Sequence, residues 1–386
     1  MMSISVLGAI EKCPRQWALS RATYPQIWDR PGYPNYPYFG AIEGLVVHQS
    51  LETIVRSIIT EGCRSISDPK VTSVLKSLGG FTLIIEKSIE SVLSSYKANP
   101  RAYDVLDQIE KQLVNRTDTI RTNLQSLLGK ITVLEDGRDA KNRNGASVAS
   151  TRGELLYGSH PECELISHEL HWKGFVDLLV LSKESCQLFD YKTGDPKEEH
   201  EDQVRFYALL WWRERELNPH SGLATDLVLV YPNETRRIDA LDEKMLVEFE
   251  ESMLGRMSDV IESISDAPPD TRINVEHCSF CHVRQLCDAY WDLEAEVTDG
   301  FCDVQISLTE NISPSVWKGV IEKRSNLGQQ EEIVFKKKNL VELELREKQR
   351  IRVLNAHSHT VESEDASGAN SYRILTAGNR SEIFYL

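Results

Sequence analysis

The stretch WKGFVDLLVLSKESCQLFDYKTG, residues 172–194, decides the fold of this chain. Its two apolar segments are predicted strands, and the four polar residues between them, 182–185, are typical of a hairpin turn. If that turn is symmetric, Leu181 lies opposite Cys186, and the same register places Asp177 opposite Asp190 on one face. Lys192 lies two residues beyond Asp190, so strand alternation places it on that face too.

Two carboxylates that face each other need a compensating charge. Cβ atoms in such a pair lie roughly 4.5–5.5 Å apart, and like charges at that distance are destabilising. A divalent cation, Mg²⁺ or Mn²⁺, would compensate both Asp177 and Asp190. A lysine beside a bound metal suits phosphodiester hydrolysis, because the metal activates water and the lysine stabilises negative charge. The residues alone equally allow an exposed hairpin with a solvated Asp–Asp–Lys face.

The segments around the hairpin predict an α/β fold. Strands are predicted on both sides of it, at CELISHEL (163–170) and LATDLVLVY (223–231). Asp195-Pro196-x-Glu198 reads as a capping signature for a helix that reaches about Leu217. Further helices are predicted over residues 1–20, 41–60, 68–130 (two or three of them) and 242–264. We therefore expect an α/β core with helical material inserted before it.

Residues 300–386 contain several β-like stretches separated by polar turns, which predicts a small barrel or sandwich. An OB-like barrel is one option. The segment carries a basic stretch that includes Lys336, Lys337, Lys338, Arg350 and Arg352. These residues are predicted either to bind a DNA strand or to be a solvated strand edge that lysines protect from aggregation.

Composition describes an ordinary globular protein. The chain has 386 residues, of which 41% are hydrophobic and 27% charged, with a formal net charge of −15. This charge argues against broad, nonspecific coating of nucleic acid. No run of 18 apolar residues occurs, and the N-terminal residues lack the pattern of a signal peptide, so we expect a cytoplasmic protein with no membrane partner. In that compartment the eight cysteines are expected to be metal ligands and buried apolar residues.

GFVDLLV (174–180) followed by FDYKTG (189–194) resembles the motifs of RecB-family nucleases, within the PD-(D/E)XK superfamily. The resemblance implies a restriction-endonuclease-like core in which Asp177 and Asp190 hold the metal and Lys192 is catalytic. It also implies that Gln203 and Tyr207, from QVRFY, join the catalytic site, and that His48, from GLVVHQSLE, completes the metal site. Read alone, His48 is typical of a partly buried helix residue.

HCSFCHVRQLCDAYW (277–291) contains three cysteines with C-x2-C-x5-C spacing, and SISVLGAIEKCPRQWAL (3–19) contains a C-P pair. Together they resemble the iron–sulfur branch of the family, which includes AddB-type subunits and CRISPR-associated RecB-like exonucleases. The resemblance implies that a [4Fe–4S] cluster is held by Cys13, Cys278, Cys281 and Cys287. Zinc on the same four thiolates remains open.

The resemblance implies a metal-dependent deoxyribonuclease, a single-strand exonuclease acting on DNA ends. Its nuclease domain is expected over 1–298, with helices at 41–136, a catalytic core at 160–265 and the cluster segment at 277–291. A β-rich DNA- or partner-binding domain is expected over 299–386. One alternative is a nuclease subunit that works only within a helicase–nuclease, CRISPR-adaptation or anti-phage defence complex. No Walker A motif occurs, so a helicase or ATPase would be a partner. The other alternative is a non-catalytic DNA-binding scaffold.

Overall fold

The structure, a computed structural model, describes residues 1–63, 65–131, 133, 153–293, 299–323, 331–337, 344–365, 368–378 and 381–386. Its contacts divide the chain into two compact units. The first, here the sheet unit, comprises Met1–Glu11, Pro37–Lys97 and Gln108–Glu262. The second, here the barrel unit, comprises Lys12–Tyr36, Ala98–Asp107 and Ser263–Leu386. Among the helices within these described ranges, none is long and apolar enough to cross a membrane.

The sheet unit is built on a five-stranded sheet in the order β1-β2-β3-β4-β5. The strands are β1 Gly158–Ser167, β2 Trp172–Leu181, β3 Cys186–Tyr191, β4 Asp226–Val230 and β5 Thr235–Ile238. Neighbours are antiparallel except β3 and β4, which are parallel and are joined through a helix. The hairpin register is confirmed, because Leu181 pairs with Cys186 and Leu178 with Phe189. Strand β5 was not predicted; its sequence TRRI lacks apolar alternation.

Helices precede these strands and alternate with them along the chain. They are α1 Ile4–Lys12, α2 Pro14–Arg21 (in the barrel unit), α3 Phe39–Thr60, α4 Pro69–Ser77, α5 Gly80–Tyr96, α6 Leu106–Asn115, α7 Thr117–Leu128, α8 Glu198–Arg213 and α9 Glu243–Ser263. Helix α3 buries one apolar face, which includes Ile42, Val46 and Ile54, as its helical spacing predicts. The long helix α9 closely matches the predicted range 242–264.

Three helix predictions were wrong. Residues 68–130, predicted to form two or three helices, form four, α4 to α7. Residues 1–20 form two helices rather than one, because Pro14 begins a new helix and Cys13 caps it. Helix α8 begins at Glu198 after an N-cap residue, Lys197, that makes no side-chain cap bond, so the predicted capping signature does not operate. This helix also ends at Arg213, four residues before the predicted end at Leu217.

The barrel unit contains a closed ring of strands. They are β6 Gly300–Ser313, β7 Val316–Lys323, β8 Glu331–Lys337, β9 Arg350–Asp365 and β10 Gly368–Ala377, with β11 Glu382–Tyr385 added beside β9. The order β10-β8-β7-β6-β9 is closed by pairing of β9 with β10, and only β8 and β10 are parallel among these described pairs. Its interior is apolar and includes Val304, Trp317, Phe335, Val353 and Leu375. The predicted small barrel is confirmed, and the closed five-stranded ring fits the OB-like option.

A buried polar network joins the cysteine segment to the barrel. Arg284 on a 3₁₀ turn, Arg284–Leu286, forms an ion pair of 2.6 Å with Asp303 on β6, and both side chains are buried. Tyr290, in the short helix α11 Asp288–Trp291 that follows α10 Val275–Ser279, donates to the same carboxylate at 2.6 Å. These contacts join residues on the two sides of residue 298, where the sequence predicts a boundary between two domains. The position of that boundary stays a prediction.

Candidate functional site

The two aspartates of the hairpin lie where strands β2 and β3 end their pairing. The last paired residues are Leu178 and Phe189, and the same register makes Asp177 and Asp190 the next opposed pair. The Tyr191 amide donates a hydrogen bond to Asp177 Oδ2 at 2.5 Å, which ties the two strands at this step. Asp190 is almost fully buried. The local register therefore brings both carboxylates together, as the sequence predicts.

Lys192 connects Asp190 to helix α8 through an ion pair and two hydrogen bonds. Lys192 Nζ lies 2.6 Å from Asp190 Oδ2 and donates to Gln203 Oε1 at 2.8 Å. Gln203 Nε2 in turn donates to the Tyr207 hydroxyl at 2.6 Å. Gln203 and Tyr207 stand one helical turn apart, so the spacing Q-x3-Y places both on the face that meets Lys192. The structure thus assembles four of the predicted site residues into a continuous chain.

Glycine at position 174 permits this close approach. A Cβ at Gly174 would lie 2.9 Å from Tyr207 Cε1 and 3.0 Å from Leu210 Cδ1. Strand β2 can therefore pack against α8 only with a glycine there. A second close approach occurs at Gly44 on α3, where a Cβ would lie 3.0 Å from the Thr193 hydroxyl oxygen. Gly44 precedes His48 by one turn, so it lets α3 bring the histidine to the end of β3.

His48 stands beside the first aspartate. Its Nε2 lies 3.0 Å from the Tyr191 carbonyl oxygen and 3.7 Å from Asp177 Oδ2. Burial disfavours the imidazolium, but the charge of Asp177 and the Tyr191 carbonyl outweigh it and raise the pKa of His48. The predicted third member of the metal site is therefore within reach of Asp177.

Glu162 is the site residue that the sequence analysis missed. A ligand atom from each of His48, Glu162 and Asp177 lies within 4.8 Å of the other two. Glu162 lies on β1, which was predicted to begin only at Cys163, so the glutamate fell outside the strand. The register of β1 with β2, centred on the turn 168–171, was the signal that would have placed it opposite Asp177.

Burial and like charge shape the electrostatics of this group. Burial and, as the second cause, the charge of Asp190 together raise the pKa of Asp177 to about 7. Burial also raises the pKa of Asp190, against the stabilising charge of Lys192. Burial, followed by the charge of Asp190, keeps the pKa of Tyr207 well above its ordinary value, so its phenol stays neutral. Carboxylates held in this way favour a cation, which would offset both burial and mutual repulsion.

The four predicted cysteine ligands line one cavity in the barrel unit. Cys13 lies between α1 and α2, Cys278 lies in α10, Cys281 follows it, and Cys287 precedes α11. Apolar side chains surround them, including Leu19, Val283 and Tyr290. Burial and, to a smaller extent, the neighbouring thiols raise the pKa of Cys281 to about 11. Cys63, Cys163 and Cys186 lie elsewhere and are buried, as expected of cysteines that are not ligands, but Cys302, for which the same is expected, is only half-buried.

Backbone amides point at three of these sulfurs. The Gln16 amide donates to Cys13 Sγ at 3.4 Å. Backbone hydrogen bonds from Val283 to Cys281 and from Tyr290 to Cys287 lower the pKa of each thiol, against the larger effect of burial. Such N–H···S bonds stabilise thiolates and are a recognised feature of iron–sulfur sites. The donor set and its surroundings therefore fit a bound cluster.

Of the three predicted DNA-binding side chains that the structure describes, Arg352 does not face solvent. Arg352 is buried, donates to the Gln285 carbonyl at 2.6 Å, and lies over the Trp291 ring at 4.9 Å. It binds the barrel to the cysteine segment rather than facing solvent. Arg350 pairs with Glu322 at 2.8 Å, and Lys336 is half-buried. The Lys337 side chain and Lys338 lie outside the described residues.

Comparison with known proteins identifies the family of the chain. A solved structure, the crystal structure of SSO0001, is similar at 17% identity, covers 51% of this chain and 80% of that chain, and has a TM-score of 0.23. No curated protein matches the chain. The PD-(D/E)XK nuclease superfamily matches residues 1–288, which is most of the chain and includes both the carboxylates and the cysteines. The chain belongs to the PD-(D/E)XK nuclease superfamily.

Proposed function

We propose that this protein is a metal-dependent DNA nuclease, a single-strand exonuclease that acts on DNA ends. Asp177, Asp190 and His48 hold a Mg²⁺ or Mn²⁺ ion. The observation that carries the proposal is the opposed pair Asp177 and Asp190 beside Lys192, whose ammonium Asp190 and Gln203 fix from two sides. A surface cluster formed by chance has no reason to oppose two aspartates and to bury one of them at ion-pair distance from a lysine.

The side chains have distinct tasks in this mechanism. A bound divalent cation supplies an activated water and neutralises charge on the scissile phosphate. The Lys192 ammonium stabilises the negative charge that develops on phosphate oxygens during attack. Gln203 accepts from Lys192 and donates to the neutral Tyr207, so the pair orients the lysine without competing for its proton.

The experiment that tests the nuclease proposal uses end-labelled linear and circular single-stranded DNA. We expect cleavage of the linear DNA with Mg²⁺ or Mn²⁺, none in EDTA, and no cutting of the circle. Asp190→Ala removes cleavage, whereas Asp239→Ala, which changes an aspartate just after β5, retains it. Cutting of the circle would contradict the exonuclease mode. Absence of all cleavage by a protein that binds Mn²⁺ would favour a subunit that needs a partner, whereas absence of Mn²⁺ binding as well would favour a scaffold.

We also propose that Cys13, Cys278, Cys281 and Cys287 hold a [4Fe–4S] cluster with a structural role. Support comes from the shared cavity and from the backbone amides that face three of the sulfurs. The four thiols come from two segments far apart in the chain, so ligation cross-links them and restricts the unfolded state. Cytoplasmic localisation, where free thiols are available for assembly, belongs to this proposal.

The barrel is proposed to guide a DNA strand, through Lys336, Lys337, Lys338 and Arg350 but without the buried Arg352. Residues 300–386 carry twelve acidic and twelve basic side chains, so the negative net charge of the chain lies elsewhere. A neutral barrel repels a phosphate backbone less than the remainder of the chain does. Reversing Lys336, Lys337 and Lys338 to glutamate should weaken DNA binding and make its salt dependence shallower. An unchanged salt slope would instead favour a barrel that binds a partner protein.

A further inference from the structure

Glu162 occupies a position in the sheet that extends the row of aspartates. Pro161 pairs with Leu178 and Cys163 pairs with Val176, so the same register places Glu162 opposite Asp177. Asp177 is in turn opposed to Asp190 on the next strand. Three acidic residues therefore stand side by side on three neighbouring strands. Only one of them, Asp190, has the Lys192 ammonium at ion-pair distance, 2.6 Å.

The backbone at Glu162 has an unusual conformation. Its φ is +50°, in the left-handed region that costs a non-glycine residue roughly 1–2 kcal/mol. The β1–β2 pairing is regular on both sides of this residue, so the conformation is confined to one step of the ladder. Strain of this kind persists where the surrounding structure enforces it, and it is concentrated at functional sites. Here it coincides with the residue whose carboxylate reaches His48 and Asp177.

The geometry of these three side chains is that of a ligand set. The ligand atoms of His48, Glu162 and Asp177 all lie within 4.8 Å of one another, a spacing that one cation can bridge. Arg56, one candidate to neutralise Glu162, forms an ion pair of 2.7 Å with Glu52. A cation between Glu162 and Asp177 would neutralise two carboxylates that Lys192 does not contact.

We propose that Glu162 is a direct ligand of the divalent cation, completing a set with His48 and Asp177. This inference rests on the proposed function, because it adds a ligand to the same metal site. With Asp190, three carboxylates and one imidazole then leave about two positions of a six-coordinate ion for water and a phosphate oxygen. Glu162 is then the ligand from the edge strand β1, and its loss weakens metal binding before any DNA is present.

The first test measures Mn²⁺ binding by calorimetry at pH 8 to the wild type, Glu162→Gln, Glu164→Gln and Asp177→Asn. Glu164 is a matched control, since it lies two residues further along β1 and receives the same substitution. We expect Glu162→Gln to weaken the Mn²⁺ affinity by roughly 10-fold or more, as loss of groups at metal sites does. Glu164→Gln should stay close to the wild type, and Asp177→Asn should bind weakly.

The outcomes separate the inference from the proposed function. If the wild-type protein does not bind Mn²⁺, both the role of Glu162 and the proposed function are overturned. A different result overturns only the role of Glu162. In that result the wild type binds Mn²⁺, Asp177→Asn binds it more weakly, and Glu162→Gln has the same Mn²⁺ affinity as Glu164→Gln. Glu162→Cys provides a second readout, because a thiolate ligand favours the softer Cd²⁺. Direct ligation predicts that this variant binds Cd²⁺ at least about 10-fold more tightly than Glu162→Gln does. Equal Cd²⁺ affinity of the two variants contradicts direct ligation.

Discussion

The carboxylate site of the sheet unit and the cysteine site of the barrel unit collect their residues in different ways. Asp177 and Asp190 lie 13 positions apart, and a hairpin with regular register brings them together. Cys13 and Cys278 lie 265 positions apart and meet only after the unit has folded. A ladder of hydrogen bonds holds the first site without any ligand, whereas the second is expected to gain much of its stability from the ligand that it binds.

The largest expected effect comes from breaking the cysteine site. Cys13→Ala should reduce the iron content from about four atoms per chain to nearly none. It should also lower the midpoint of thermal unfolding by roughly 10 °C or more, since the link between distant segments is lost. Iron analysis and calorimetry measure the two effects. Cys63→Ala, at a buried cysteine outside the cavity, is the control and should retain iron. Colourless wild-type protein with one zinc would contradict the cluster.

The next effect concerns the chemistry of the sheet site. Lys192→Ala should lower the rate of DNA cleavage by roughly 100-fold or more, because the ammonium stabilises charge only in the transition state. Mn²⁺ binding should persist, since the lysine is not a ligand. Single-turnover kinetics measures the rate of cleavage, and calorimetry measures the Mn²⁺ affinity. Lys183→Ala, in the exposed turn of the same hairpin, should cleave at the wild-type rate. Equal rates for both variants would place the chemistry elsewhere.

A smaller effect is expected where the sheet site depends on packing. Gly174→Ala introduces a Cβ 2.9 Å from the Tyr207 ring, so the ring or the strand must shift. Overpacking of this kind costs roughly 1–3 kcal/mol, which calorimetry would show as a lowered unfolding temperature. Cleavage should fall by roughly 10-fold, because displacement of Tyr207 disturbs Gln203 and Lys192. Gly255→Ala on α9, where an added Cβ meets no atom within 4 Å, is the control. Equal cleavage rates of Gly174→Ala and Gly255→Ala would contradict the coupling between the packing of Tyr207 and the position of Lys192.

The smallest effect is a dependence of stability on pH. The pKa of Asp177 is raised from 3.8 to about 7 in the folded, metal-free protein. Between these values the folded state binds more protons than the unfolded state, so stability contributed by protonated Asp177 is lost as the pH rises. The unfolding temperature without metal should therefore fall between pH 4 and pH 7. The Asp177→Asn variant should show a flatter profile, and added Mn²⁺ should restore stability above pH 7. A wild-type profile as flat as that of the variant would contradict the raised pKa.

Several sequence predictions succeeded because they depend on local geometry. The hairpin register follows from alternation and a four-residue turn, and the Gln203–Tyr207 pair follows from one helical turn. Predictions of helix ends failed for two reasons. The end of α8 depends on backbone interactions that composition does not show, whereas the break at Pro14 was visible in the sequence, because proline favours the first position of a helix. Glu162 was missed because its strand begins earlier than the apolar residues do.

The amino-acid sequence by itself determined which residues face each other across short turns, because a ladder of hydrogen bonds has a period of two and allows one register. It thereby placed Asp177, Asp190 and Lys192. Only the tertiary structure decided which residues from distant segments meet. It buried Arg352 against Trp291, gathered four cysteines around one cavity, and brought His48 to Asp177. Such contacts arise from packing of whole elements, and no local pattern of residues specifies them.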